Sequence, residues 1–265
     1  MSDFFKQYEQ HVSERLEQGI PPLALTDTQI TQVVELARKG GSGRDEELAE
    51  LISQRVNPGV DPASLIKSDY LLELVQGKSK FTPISPERAV ELLGTMVGGY
   101  NLDALIEIMG GSDSALASLA AKQLKGLPLA ISIAPKLEEQ AKGGNQLAKD
   151  VINSWANGEW FTSQREVPQK MECIVYRVDG EINTDDFSPA SQAFTRADIP
   201  LHSLCMGGSL FPDGPSEIER LKSESNLPIA FVGDVVGTGS SRKSACNSLL
   251  WHIGEEISYV PNKKR

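Results

Sequence analysis

Leu227-Pro-Ile-Ala-Phe-Val-Gly-Asp-Val-Val-Gly-Thr-Gly-Ser-Ser-Arg-Lys-Ser244 decides how the second half of the chain folds. Residues 227–232 form a continuous apolar run, the pattern of a strand buried in an α/β layer. The glycine-rich stretch 233–244 then reads as a loop, and a helix follows from about Lys243 to Trp251. A short strand at 257–260 completes the α/β order of strand, loop, helix and strand. Such a junction aims backbone N–H groups and the positive end of a helix at one spot, which attracts anions. Gly237 and Gly239 permit tight backbone angles, Ser240 and Ser241 add hydroxyls, and Arg242 adds a planar fork suited to a carboxylate. The residues therefore point to a site for a carboxylate or phosphate, and the plain alternative is a strand–helix turn with no ligand. A P-loop is excluded because Arg242 stands where that motif needs glycine before Lys-Ser. A dinucleotide fingerprint is excluded because Arg242 also takes the place of its third glycine.

Working outward, residues 171–178 alternate and are β-branched, predicting a strand that ends at an Asp179-Gly180 turn. Residues 215–225 predict a helix with Ile218 and Leu221 inward. Asp185 and Asp186 invite an acid/base reading, but a turn or helix cap is the simpler one. Residues 159–170 have no period, contain Pro168 and read as a linker.

Residues 1–156 read as nine short helices. Phe4, Phe5, Tyr8, Val12 and Leu16 make one apolar stripe. Thr26 with Gln29 is a capping box ahead of Ile30, Val33, Val34 and Ala37, and Gly40 with Gly41 supplies the stop. Asp61-Pro62 and Ser85-Pro86 are start signals with proline at the first helical position. Further helices are predicted over 45–56, 102–109, 115–124, 129–141 and 146–156. Stacked antiparallel pairs, as in a HEAT-like solenoid, are the economical arrangement, although no clean repeat is visible and an irregular bundle is the alternative.

Of the 265 residues 40% are hydrophobic and 23% charged, which is ordinary globular usage. The net charge of −10 argues against broad non-specific binding to nucleic acid. No apolar run approaches the ~20 residues that span a bilayer, and the start MSDFFKQYEQ is not a secretory signal. Cys173, Cys205 and Cys246 are widely spaced, so a disulfide framework is not expected and a cytoplasmic location is.

Gly-Ser-Ser-Arg after a strand resembles the swivel-domain signature of the aconitase superfamily, and Asn183-Thr-Asp-Asp-Phe-Ser-Pro-Ala190 resembles a second signature of that domain. Further blocks in the same order, Gly94-Thr-Met-Val-Gly-Gly-Tyr-Asn101, Ser154-Trp-Ala, Glu159-Trp-Phe161 and Arg196-Ala-Asp-Ile-Pro-Leu-His202, are similar to the B-type bacterial aconitases. The resemblance implies an α+β multidomain chain. It comprises an all-α HEAT-like region at 1–158, a linker at 159–170 and a truncated α/β swivel domain at 171–265. It implies a hydro-lyase of the tricarboxylic acid cycle that interconverts citrate and isocitrate through cis-aconitate, with 2-methylisocitrate within the range of related enzymes. Residue by residue, Ser240 matches the proton-abstracting serine, Ser241 its neighbour, Arg242 an arginine that grips a carboxylate, and Arg196 another substrate-binding arginine. The family's [4Fe-4S] cluster is held by cysteines in a distant C-terminal region, and the three cysteines here match none of them. No metal is therefore expected on this chain, and no turnover from it alone. The alternative is a non-catalytic interaction module, either a homodimer through the helical region or an mRNA binder, the latter disfavoured by the acidic charge. The small subunit of a related isomerase is a third reading, but such subunits lack a long helical region in front.

Overall fold

The computed structural model describes residues 3–40, 43–127, 130–164 and 166–265. Its first part is built of α1 (Asp3–Leu16), α2 (Asp27–Lys39), α3 (Asp45–Gln54), α4 (Pro62–Val75), α5 (Pro86–Gly94), α6 (Leu102–Met109), α7 (Ser114–Lys125), α8 (Ala134–Lys142) and α9 (Gln146–Ala156). The starts follow local chemistry. Thr26 and Gln29 close a reciprocal capping box on α2, and Asp61, Ser85, Asp113 and Asn145 cap α4, α5, α7 and α9 with their side chains. Each helix from α4 to α7 packs on its sequence neighbour and on the next but one, in the manner of stacked helix pairs. One hydrophobic core runs through the stack from Phe4 to Val151, with Tyr70, Leu92, Leu93 and Leu105 fully buried.

Two helical expectations shift. Leu16 ends the α1 stripe but is exposed, because the chain turns away there while Phe4, Phe5 and Tyr8 enter the core. The helix predicted over 129–141 starts at Ala134, after a short 3-10 turn at Ile131–Ile133. Pro135 has no N–H to give and is tolerated only in a first turn, so the regular helix begins beside it. Gly41 of the predicted stop, Leu129 at the predicted helix start and position 165 of the predicted linker lie outside the described residues.

The second part contains α10 (Glu159–Thr162), β1 (Ile174–Asn183), α11 (Thr184–Phe187), α12 (Ile199–Ser203), α13 (Gly214–Glu224), β2 (Ile229–Thr238) and α14 (Lys243–Ile253). Residues 159–162, read as linker, form a helical turn behind Gly158 in the left-handed conformation. The strands pair in parallel from Ile174 opposite Ile229 to Asn183 opposite Thr238. Parallel pairing needs a long crossover, which α11 to α13 provide. A small core gathers under one face, centred on Phe187, Phe211 and Phe231 with ring centroids 5.1–5.9 Å apart.

Here the structure corrects the sequence reading at four points. Asp179-Gly180 is not a turn: β1 continues through it as a bulge, Gly180 taking φ +89° and donating its N–H to the Asp234 carboxylate at 2.8 Å. Residues 233–238 are strand rather than loop, held by pairing with β1. The run at 227–232 is not buried on both faces. Ile229 enters the core and Phe231 packs against it, while Val232 is exposed, as are Val235 and Val236 further along the strand. Residues 257–260 form a turn with Tyr259 at φ +65°, inside a hook closed by the antiparallel bridge between Glu256 and Lys264.

The two parts dock through specific polar contacts. Arg15 of α1 grips Asp198, Arg88 of α5 donates to the Tyr259 hydroxyl at 2.6 Å, and Asn262 donates to the Pro22 carbonyl at 2.9 Å. Among the described residues no helix is long and apolar enough to cross a membrane.

Lys67 of α4 is 1% exposed, and its ammonium donates to the Ser53 carbonyl at 3.0 Å. Burial, with the like charge of Arg88, pulls its ammonium down to about 7 from the ordinary 10.5. The unfolded chain holds this proton up to about pH 10 and the folded chain loses it above about 7, so stability rises with pH through that window. Lys67→Met is expected to stabilise the chain by about 1–3 kcal/mol at pH 6, with the difference shrinking toward pH 10. Urea unfolding at both pH values checks it.

Candidate functional site

Parallel pairing sends the C-terminal ends of both strands to one edge of the sheet, where ligands of open α/β layers bind. β2 delivers Gly239, Ser240, Ser241 and Arg242, and β1 delivers α11 with Asp185 and Ser188 beyond it. Gly239 adopts φ +93°, and a Cβ there would lie 2.7 Å from the Asn183 side-chain oxygen, so the loop crosses β1 only as glycine.

Arg242 is the hub. Its Nε donates to Ser240 Oγ at 3.0 Å, and its Nη1 donates to the Ser188 carbonyl at 3.0 Å and to the Asp185 carboxylate. A guanidinium donating to the Ser240 oxygen favours negative charge on that oxygen. The Arg242 guanidinium beside Asp185 also holds that carboxyl below the usual carboxylate range, helped by the Ala190 N–H at 3.0 Å. Of the residues singled out from sequence, Ser240 and Arg242 are thus joined directly. Ser241 is exposed on the same loop. Arg196 is half-buried on a different segment, donating to Gln192 at 3.3 Å and to the Leu201 carbonyl at 3.2 Å. Among the described residues no hydrogen bond links Arg196 to Arg242.

The reading of Asp185 and Asp186 as a turn and cap holds for one of them. Asp186 completes the capping box on α11, accepting the Asn183 N–H at 2.7 Å. Asp185 instead supplies the counter-charge to Arg242, which no local pattern announces. Sequence reasoning also missed a buried polar chain. Ser188 Oγ lies 2.7 Å from His202 Nε2 and donates to Ser244 Oγ at 2.7 Å, and His252 meets the Ser203 carbonyl at 3.0 Å. Burial holds the His252 imidazole below its ordinary pKa. The one available signal was that Ser188 and His202 sit in the blocks already noted around Asp185 and Arg196.

Cys173, Cys205 and Cys246 are free thiols, and among the described residues no three His, Cys, Asp or Glu side chains come together as a metal site. The donors present do not fit a [4Fe-4S] cluster.

Two family models match this chain. One described as Aconitate B N-terminal domain covers residues 7–161, and one described as Aconitate hydratase 2 N-terminus covers residues 173–265. Aconitate hydratase B of Pseudomonas aeruginosa is 46% identical over 266 residues, covering 97% of this chain and 30% of the relative. The protein of the same name from Escherichia coli is 44% identical over 268 residues, covering 98% and 31%. That from Helicobacter pylori is 45% identical over 264 residues, covering 100% and 31%. The chain therefore spans about a third of the length of the curated relatives it matches.

The Asp185–Arg242 contact makes a titration prediction. The Asp185 carboxyl midpoint, followed by carbon NMR, is expected below the ordinary 3.8 and should return toward it in Arg242→Gln. Because the folded-state value is depressed, the contact stabilises the fold above the ordinary value and is lost as pH falls through the folded one. An Asp185 titration unchanged by the substitution contradicts the assignment.

Proposed function

The chain belongs to the aconitate hydratase B family, and on that premise we propose that it carries the part of the enzyme that grips and orients a tricarboxylate. In this reading residues 1–158 are a HEAT-like region and 171–265 part of the swivel domain. The whole protein interconverts citrate and isocitrate through cis-aconitate. Arg242 and Arg196 bind carboxylates, Ser241 adds a hydrogen bond, and Ser240 takes and returns the proton. The observation that carries the reading is the Arg242 fork held against Ser240 at the C-terminal edge of a parallel sheet.

The chemistry is consistent with those roles. Citrate is triply negative near neutral pH, so a forked cation with strand-end and helix-start amides is a matched partner. A serine acts as a base only when its alkoxide is held by positive charge and hydrogen bonds, and Arg242 Nε is already aimed at that oxygen. Asp185 occupies one arm of the guanidinium, which sets the fork's orientation before the ligand arrives. The [4Fe-4S] cluster that the family resemblance places in the full-length enzyme finds no ligand set among these residues. The roles assigned to this chain are accordingly confined to binding and proton handling.

Calorimetric titration of the chain with citrate tests the proposal. Binding is expected, and Arg242→Lys should weaken it by roughly 10- to 100-fold, since a lysine keeps the charge and loses the two-pronged hydrogen bond. An unchanged affinity in Arg242→Lys removes Arg242 from the site.

A further inference from the structure

We propose that Arg15 and Asp198 are positioning residues that fasten the helical region to the arginines of the candidate site through α12. The proposal deepens the tricarboxylate-binding reading and rests on it for its consequence, though not for its geometry. Arg15 sits on α1, 183 residues from its partner, with a side chain 8% exposed. All three of its donor nitrogens are used. Nε donates to the Pro21 carbonyl at 2.9 Å, and Nη1 and Nη2 donate to the two Asp198 oxygens at 3.1 and 2.6 Å. Two parallel bonds of this kind fix an orientation as well as a distance.

The same Asp198 carboxylate caps α12, accepting the Leu201 N–H at 3.3 Å. A helix of five residues does not hold itself, because nucleation is unfavourable and few internal bonds follow. Its place is set by what grips its ends. At one end that grip is Asp198, and at the other it is His252 of α14 against the Ser203 carbonyl. From α12 two lines lead to the site. The Leu201 carbonyl receives Arg196 Nη1. The His202 ring meets Ser188 Oγ, and the Ser188 carbonyl receives Arg242 Nη1. Both candidate carboxylate-binding arginines therefore lean on one short helix whose start is pinned by a guanidinium from the other region. Among the described residues no hydrogen bond joins Arg15 or Asp198 to the loop at 239–242, so the pair acts through other residues.

Three variants of the full 265-residue chain test this: Arg15→Met, Asp198→Asn and the pair together. Asparagine caps a helix as well as aspartate, so Asp198→Asn keeps the start of α12 and removes the ion pair. If Arg15→Met does not fold, Arg15→Lys replaces it, keeping charge without the fork. The first readout needs no ligand: nitrogen NMR of the His202 ring and the Arg242 Nε–H, with hydrogen exchange across 199–203 and 239–242. Each single variant is expected to move both signals and to speed exchange roughly tenfold, with the double variant no worse than either single, as for groups in one network. The second readout is citrate affinity, expected to fall by about tenfold in each. A lowered melting temperature with unmoved Arg242 and His202 signals makes the pair a structural staple and overturns the proposal. Moved signals with citrate affinity unchanged overturn the link to binding. A parent chain that binds no citrate sinks the functional reading, while the NMR arm still decides whether the pair positions Arg242.

Discussion

The parallel pairing of β1 with β2 is the constraint on which the site depends. Antiparallel strands would send one C-terminal end to each edge, and Asp185 and Arg242 would lie at opposite ends of the sheet. Parallel register places Asn183 beside Thr238, so the residues that follow each strand emerge side by side. The crossover that this topology requires is itself used, since α12 and its flanking turns carry Arg196 and His202.

Within that geometry Arg242 is a shared charge rather than a free one. Its contact with Asp185 is partly exposed, and ion pairs of that kind add little to stability. Its importance is orientational: the carboxylate and the Ser188 carbonyl hold one arm, leaving Nε directed at Ser240. In a chain of net charge −10, a pre-oriented guanidinium with backbone amides nearby is a local exception to the overall repulsion of anions.

The helical region is joined to the α/β part by well-aligned polar contacts and by Tyr259, which packs against the helical core. Tyr259 stacks its ring under Arg88 at 4.9 Å and accepts the same guanidinium at its hydroxyl, while Arg15 grips Asp198 at the start of α12.

What the sequence determined by itself is local. Thr26 with Gln29, Asp61-Pro62 and Ser85-Pro86 marked helix starts because a cap is made within three residues of itself. Helical stripes were legible for the same reason, and so was the cluster of Gly239, Ser240 and Arg242, whose Ser240–Arg242 bond spans two positions. Only the tertiary structure decided how far the strands run. Asp179-Gly180 and residues 233–238 carry turn residues, and the strands run through them because their neighbours pair across the sheet, Val178 with Gly233 and Glu181 with Val235, some fifty residues away. The partners of Asp185, His202 and Arg15 were illegible for that reason too: their bonds join residues 57, 14 and 183 positions apart. A single chain records residue types at such separations, and only the packed fold brings them within hydrogen-bond reach.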